Sequence, residues 1–178
     1  MRSHFLKSLF VLVAALLLPA AAIGQDPKEE MASSKAPMIL FVCEHGAAKS
    51  VIASAYFDKL AKERGLNYRA VFRGTNPDPA LGVVAEKGLN EDGISTQGWK
   101  PELVTKKDLD AASEIVTLGC DLPGKDAVPG KITEWNDVPS VSQDYQVARD
   151  DIVKRVRSLV DDLAKKEQEA REKKKRQP

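Results

Sequence analysis

The chain has 178 residues, 43% hydrophobic and 30% charged, with 27 Lys and Arg against 26 Asp and Glu for a net charge of +1. That length suits one domain with tails, and that composition excludes whole-chain disorder. Eleven Gly and ten Pro exclude a collagen-like chain, two Cys exclude a disulfide-dense scaffold or a four-thiolate zinc site, and the balanced charge leaves no footprint for nucleic acid.

Arg2 and Lys7 flank the start of an apolar run over residues 9–18, and Pro19 with small residues leads to Ala22, Ile23 and Gly24. This pattern predicts an export signal over 1–24, cut after Gly24 or after Ala22. A spanning helix needs about 20 apolar residues, so an uncleaved anchor fits less well. Export would place the mature chain in the periplasm or outside the cell, an oxidising space where two thiols could pair. Residues 25–37 are small and polar and read as a linker.

Residues 38–42 (Met-Ile-Leu-Phe-Val) form the first predicted strand, a short apolar run suited to burial on both faces. Ser50 is the expected cap of a helix over 50–64, with Ile52, Ala55, Tyr56 and Leu60 near helical spacing and Gly65 as its stop. A second strand is expected over 68–73, a helix over 80–90, a third strand over 114–118 and a short fourth over 131–134. The clearest helix runs over 143–163, where Tyr145, Ala148, Ile152, Val156, Leu159 and Leu163 recur every three or four residues. Residues 164–178 have no apolar face and carry seven Lys or Arg against three Glu, while residues 25–163 carry 18 basic and 23 acidic side chains. The tail reads as a solvated helical extension, or else as a contact for an anionic surface. Strands separated by helices imply parallel pairing and an α/β sandwich over residues 38–163.

Ligands in such sheets sit beyond the carboxyl ends of strands. The first strand ends at Cys43, followed by Glu44, His45, Gly46, Ala47, Ala48, Lys49 and Ser50. A strand, a turn of small residues and a helix start gather backbone N–H groups and the positive end of a helix dipole, which is an anion site. A cysteine in that field is suited to act as a thiolate nucleophile. Lys49 and His45 could add positive charge, and the Ser50 hydroxyl could orient the sulfur. A buried, inert strand-end cysteine is the plainer alternative.

The ordered set of segments resembles the low-molecular-weight protein tyrosine phosphatase superfamily, which includes arsenate reductases. The matching segments are Ile39 to Cys43 with Lys49-Ser50; Phe72-Arg73-Gly74-Thr75-Asn76-Pro77; Leu89-Asn90-Glu91-Asp92-Gly93-Ile94-Ser95; residues 112–118; Trp135-Asn136-Asp137-Val138-Pro139; and Ala148-Arg149-Asp150-Asp151-Ile152. The resemblance implies a three-layer sandwich with a four-stranded parallel sheet flanked by helices. It implies that Cys43 attacks phosphorus or arsenic, that the loop 44–50 holds the oxyanion, and that Asp137 protonates the leaving oxygen. No cofactor or metal is implied. The expected partners are a small oxyanion or phosphomonoester and, for redox work, a thiol reductant.

Four departures from the superfamily pattern bear on function. Lys49 stands where the family has Arg, replacing a planar fork by a point charge. Gly46 stands where the family has Asn. Asp137 is followed by Val-Pro rather than Pro, so it is the acid by position only, and a turn aspartate would look the same. Of the further cysteines used by reductases, only Cys120 has a counterpart, near enough in sequence order to be a redox partner of Cys43 or a strand-end thiol without redox work. His45 is an exposed loop residue or a partner of the thiolate, and Trp135 is a cavity wall or a packing residue. Three functions remain open on these grounds: a cysteine-dependent phosphatase, an arsenate reductase-like thiol enzyme, and an oxyanion-binding module with a degenerate site.

Overall fold

The computed structural model describes residues 36–176. The expected signal, and all but the end of the expected linker, lie outside the described residues. Strands β1 (Met38–Cys43), β2 (Arg69–Gly74), β3 (Ala112–Thr117) and β4 (Ile132–Glu134) form one parallel sheet in the order β2-β1-β3-β4. Helices α1 (Lys49–Glu63), α2 (Val83–Glu91), α3 (Lys106–Ala111) and α4 (Tyr145–Arg176) join and cover it. Among the described residues no helix is long and apolar enough to cross a membrane.

β1 is buried at all six positions because it is central and covered on both faces. Its alternate side chains divide between two cores. Ile39, Phe41 and Cys43 join Ile52, Phe57, Leu89, Ile152 and Val156 under α1, α2 and α4. Leu40 and Val42 join Leu109, Ile115, Leu122 and Val128 on the other face, under α3 and the segment before β4. The result is the expected three-layer sandwich. Because β1 is central, its carboxyl end opens between the loops that follow β2 and β3.

Apart from the end of the last helix, the element boundaries hold within a few residues, with three informative differences. α1 begins at Lys49 with Ala48 as its N-cap and no side-chain cap, so Ser50 lies inside the first turn and is not the cap. Its hydroxyl is wholly buried and serves another partner. α2 starts at Val83 because Leu81 turns inward to the core and Gly82 is extended. α3 was not expected at all: six residues with one buried side chain, Leu109, leave no periodicity to read. Its signal was the reciprocal cap of Thr105 and Asp108, in which each side chain binds the other's backbone N–H.

The last helix is longer than its apolar pattern. Ala148, Ile152, Val156, Leu159, Val160 and Leu163 are its buried residues, and the helix then continues without a break to Arg176. Ion pairing between Arg171 and Glu167 at 3.0 Å and a Gln168–Glu172 hydrogen bond at 3.2 Å support the extension at i, i+4 spacing.

Candidate active site at the carboxyl edge of the sheet

Cys43 ends β1 with its side chain on the α1 face, and its Sγ lies 3.1 Å from the Ser50 hydroxyl. The loop that follows is pinned from behind. The carbonyls of Cys43, Glu44 and His45 accept from the N–H groups of Thr75, Asn76 and Asp78 at 3.1, 2.8 and 3.0 Å, and that of Ala47 accepts from Gly82 at 2.9 Å. In a trans peptide the C=O and the next residue's N–H point in opposite directions. The N–H groups of Glu44, His45, Gly46 and Ala48 are therefore turned away from that backing. None of these four N–H groups has a hydrogen-bond acceptor among the described residues.

Gly46 holds this turn. Its φ is +59°, and a Cβ there would stand 2.7 Å from the backbone nitrogen of Gly74. Gly74 is in the reciprocal position, since its own Cβ would stand 2.8 Å from the Gly46 nitrogen. The glycine is thus demanded by the close approach of two loops, beyond being a site that lacks the family's Asn side chain.

A cavity of about 220 Å³ opens above Cys43, lined by Glu44, His45, Ala48 and Lys49 from the loop and by Leu118, Gly119 and residues 140–142 from the other side. At ~30 Å³ per water it holds roughly seven waters, enough for a tetrahedral oxyanion and a short ester arm. Ser140 and Ser142 bond each other at 3.0 Å, and no Phe, Tyr or Trp among the described residues lines the cavity. The Lys49 ammonium donates to the Val138 carbonyl at 2.8 Å, so it reaches across the cavity to the loop after β4.

The structure places the remaining candidates as follows. Glu44 and His45 are exposed at the cavity mouth, where His45 Nδ1 is 3.2 Å from Asp78. Asp137 does not line the cavity. Its carboxylate is 81% exposed and sits 3.0 Å from Arg155, which also binds Asp151 at 2.8 Å. The hydrogen bond from Arg155 holds the Asp137 carboxyl below the usual carboxylate range, which disfavours a proton donor near neutral pH. Trp135 is a core residue packed 6.1 Å from the Phe41 ring and does not line this cavity. Cys120 is half-buried and unpaired, with its thiol 3.6 Å from the Val42 carbonyl. Burial, then the proximity of Cys43, pushes that thiol up to about 11.

Asp78, Leu118, Gly119 and Ser142 were not singled out from the sequence as site residues. They lie on the loops after β2, β3 and β4, and the rule that led to Cys43 also points to those strand ends.

The site is thus a cysteine at the carboxyl end of an interior strand of a parallel sheet covered on both faces, followed by a tight glycine turn into a helix. The chain belongs to the low molecular weight phosphotyrosine protein phosphatase family, whose model matches residues 38–127. Solved structures agree on the fold. An arsenate reductase from Archaeoglobus fulgidus is 28% identical, with a TM-score of 0.58 over 68% of this chain and 98% of that one. A YwlE mutant from Bacillus subtilis is 20% identical, with a TM-score of 0.62 over 71% and 98%. A low molecular weight protein tyrosine phosphatase from T. tengcongensis is also 20% identical, with a TM-score of 0.57 over 73% and 99%. No curated protein matches the chain by sequence. The family and these neighbours comprise phosphatases and arsenate reductases.

Proposed function

We propose that the protein is a cysteine-dependent phosphatase that hydrolyses phosphomonoesters through a cysteinyl-phosphate on Cys43, acting outside the cytoplasm after loss of residues 1–24. The observation that carries this is the Cys43 thiol, 3.1 Å from the Ser50 hydroxyl, in a cavity lined by Cys43, Glu44, His45, Ala48 and Lys49. The Ser50 hydroxyl orients and hydrogen-bonds the sulfur. Sγ attacks phosphorus, the ester oxygen leaves with a proton, and water then cleaves the S–P bond to release phosphate and the thiolate. The N–H groups of 44–46 and 48 stabilise the equatorial oxygens in both steps.

Lys49 supplies the cation, but as a point charge that is shared with the Val138 carbonyl. Turnover is expected to be slow for that reason. Reduced protein lacking residues 1–24 should hydrolyse p-nitrophenyl phosphate, and Cys43→Ser should abolish this. Lys49→Arg should raise kcat by ~10–100-fold, below the 10²–10³ that one full oxyanion contact can supply. Hydrolysis that survives in Cys43→Ser would refute the reading.

The 28% identity to an arsenate reductase favours a second reading, in which the same thiol attacks arsenate and Cys120 resolves the adduct. A thiol pushed up to about 11 is a weak attacking group at neutral pH. Arsenate-dependent consumption of thiols that is lost in Cys120→Ser would support that second reading; phosphatase activity unchanged in Cys120→Ser is expected under the first.

A further inference from the structure

The reaction proposed above needs a proton for the leaving oxygen, and the residue expected to give it faces elsewhere. Asp137 is paired to Arg155 and lies outside the cavity. Its loop is fixed in that arrangement by a second tie, the Lys49 bond to the neighbouring Val138 carbonyl. Another proton carrier stands at the cavity itself. His45 lies two residues after the nucleophile and lines the same cavity as Cys43 and Lys49. Its Nδ1 is 3.2 Å from the Asp78 carboxylate. Asp78 is in turn fixed to the same residue by its backbone N–H, which donates to the His45 carbonyl at 3.0 Å. The other ring nitrogen, Nε2, is 3.8 Å from the Glu44 carboxylate, beyond a hydrogen bond. Asp78 therefore stands beside one nitrogen of the imidazole, and the other has no hydrogen-bond partner among the described residues.

We infer that His45 is the general acid and base of this site, with Asp78 as its positioning residue, taking the part that the sequence assigns to Asp137. This rests on the phosphatase reading. In the first step Cys43 Sγ forms the S–P bond, the P–O bond to the leaving group breaks, and Nε2–H gives its proton to that oxygen. In the second, neutral Nε2 takes a proton from water, the resulting hydroxide attacks phosphorus, and the S–P bond breaks to return the thiolate. The charged groups around the ring are Glu44 on its own loop, Asp78 on the loop after β2, and Lys49 at the start of α1.

Proton donation matters most when the leaving group is a poor one, and that separates the role from a structural one. The test measures kcat/KM of the reduced protein lacking residues 1–24 with p-nitrophenyl phosphate and with phenyl phosphate, for wild type and for His45→Ala, His45→Gln, Asp78→Asn and Asp137→Asn. General acid catalysis contributes ~10²–10⁴-fold. Both His45 variants should lose at least ~100-fold with phenyl phosphate and under ~10-fold with p-nitrophenyl phosphate. Asp78→Asn should show the same sense with a smaller loss, and Asp137→Asn should keep the wild-type ratio of the two esters. His45 is exposed, so its variants should keep the wild-type melting temperature. If the His45 variants keep the wild-type ratio while Asp137→Asn changes it, the inference is overturned and the phosphatase reading stands. If wild type shows no Cys43-dependent turnover of either ester, both fall together.

Discussion

Gly46 and Asp92 show how single residues govern this molecule in different ways. At Gly46 the backbone is left-handed at φ +59° and backs onto Gly74. Gly46→Ala should cost the ~1–2 kcal/mol of an unfavourable backbone region and add a backbone clash, so that both melting temperature and activity fall. Asp92 follows α2 and accepts hydrogen bonds from Tyr145 at 2.6 Å, Tyr56 at 2.7 Å and Arg149 at 2.9 Å. Burial pushes its carboxyl up, but the two tyrosines and Arg149 outweigh that and leave it below the ordinary value. A carboxylate lowered in this way contributes stability that is present above its unfolded value near 4 and lost as pH falls through the lowered value. Asp92→Asn should therefore cost ~1.5–3 kcal/mol at neutral pH and flatten the acid limb of a stability-against-pH curve, measured by denaturant unfolding. A variant with the wild-type acid limb would refute this account.

Among the elements, α4 was the most legible in sequence and the least complete. Its apolar spacing marked the buried face correctly, because five buried residues at three- and four-residue intervals, Ala148, Ile152, Val156, Leu159 and Leu163, leave little choice of orientation. The spacing could not mark its end, because beyond Leu163 only charge patterning and i, i+4 pairs sustain the helix. Ile152 is fully buried between α4 and the sheet, and Ile152→Ala should cost ~2–5 kcal/mol in chemical denaturation. Deleting residues 169–178 removes only exposed described positions and should change stability by less than ~0.5 kcal/mol while lowering helical circular dichroism. α3 was not legible, since one buried leucine sets no period.

At the scale of the whole molecule, the sandwich followed from the alternation of apolar strands and amphipathic helices, and the structure keeps it. The site was half legible. Cys43, His45, Lys49 and Ser50 are close in sequence, so one strand end and one helix start brought them together. The pairing of Asp137 with Arg155 was hidden, because Arg155 sits on a helix rich in basic side chains and only the packing of α4 beside β4 selects it. Lys49 reaching to Val138 was hidden likewise, across 89 residues. Contacts made by chain continuity were thus legible in the sequence, and those made by tertiary approach were not.

The unbroken α4 also gives the molecule an electrical shape. Its last buried residue is Leu163, and at 1.5 Å per residue Arg176 is about 20 Å farther along the axis. Among the described residues, 36–163 carry 16 Lys or Arg against 20 Asp or Glu while 164–176 carry seven against three, so body and rod have opposite sign and the charge separation is aligned with one helix. The field of a dipole falls faster than that of a monopole, and salt screens it within about 10 Å at 0.1 M. At low ionic strength the protein should nonetheless approach negatively charged surfaces tip first, with its body turned away. It should be retained on a cation exchanger near neutral pH despite its balanced composition, and removal of residues 169–178 should release it.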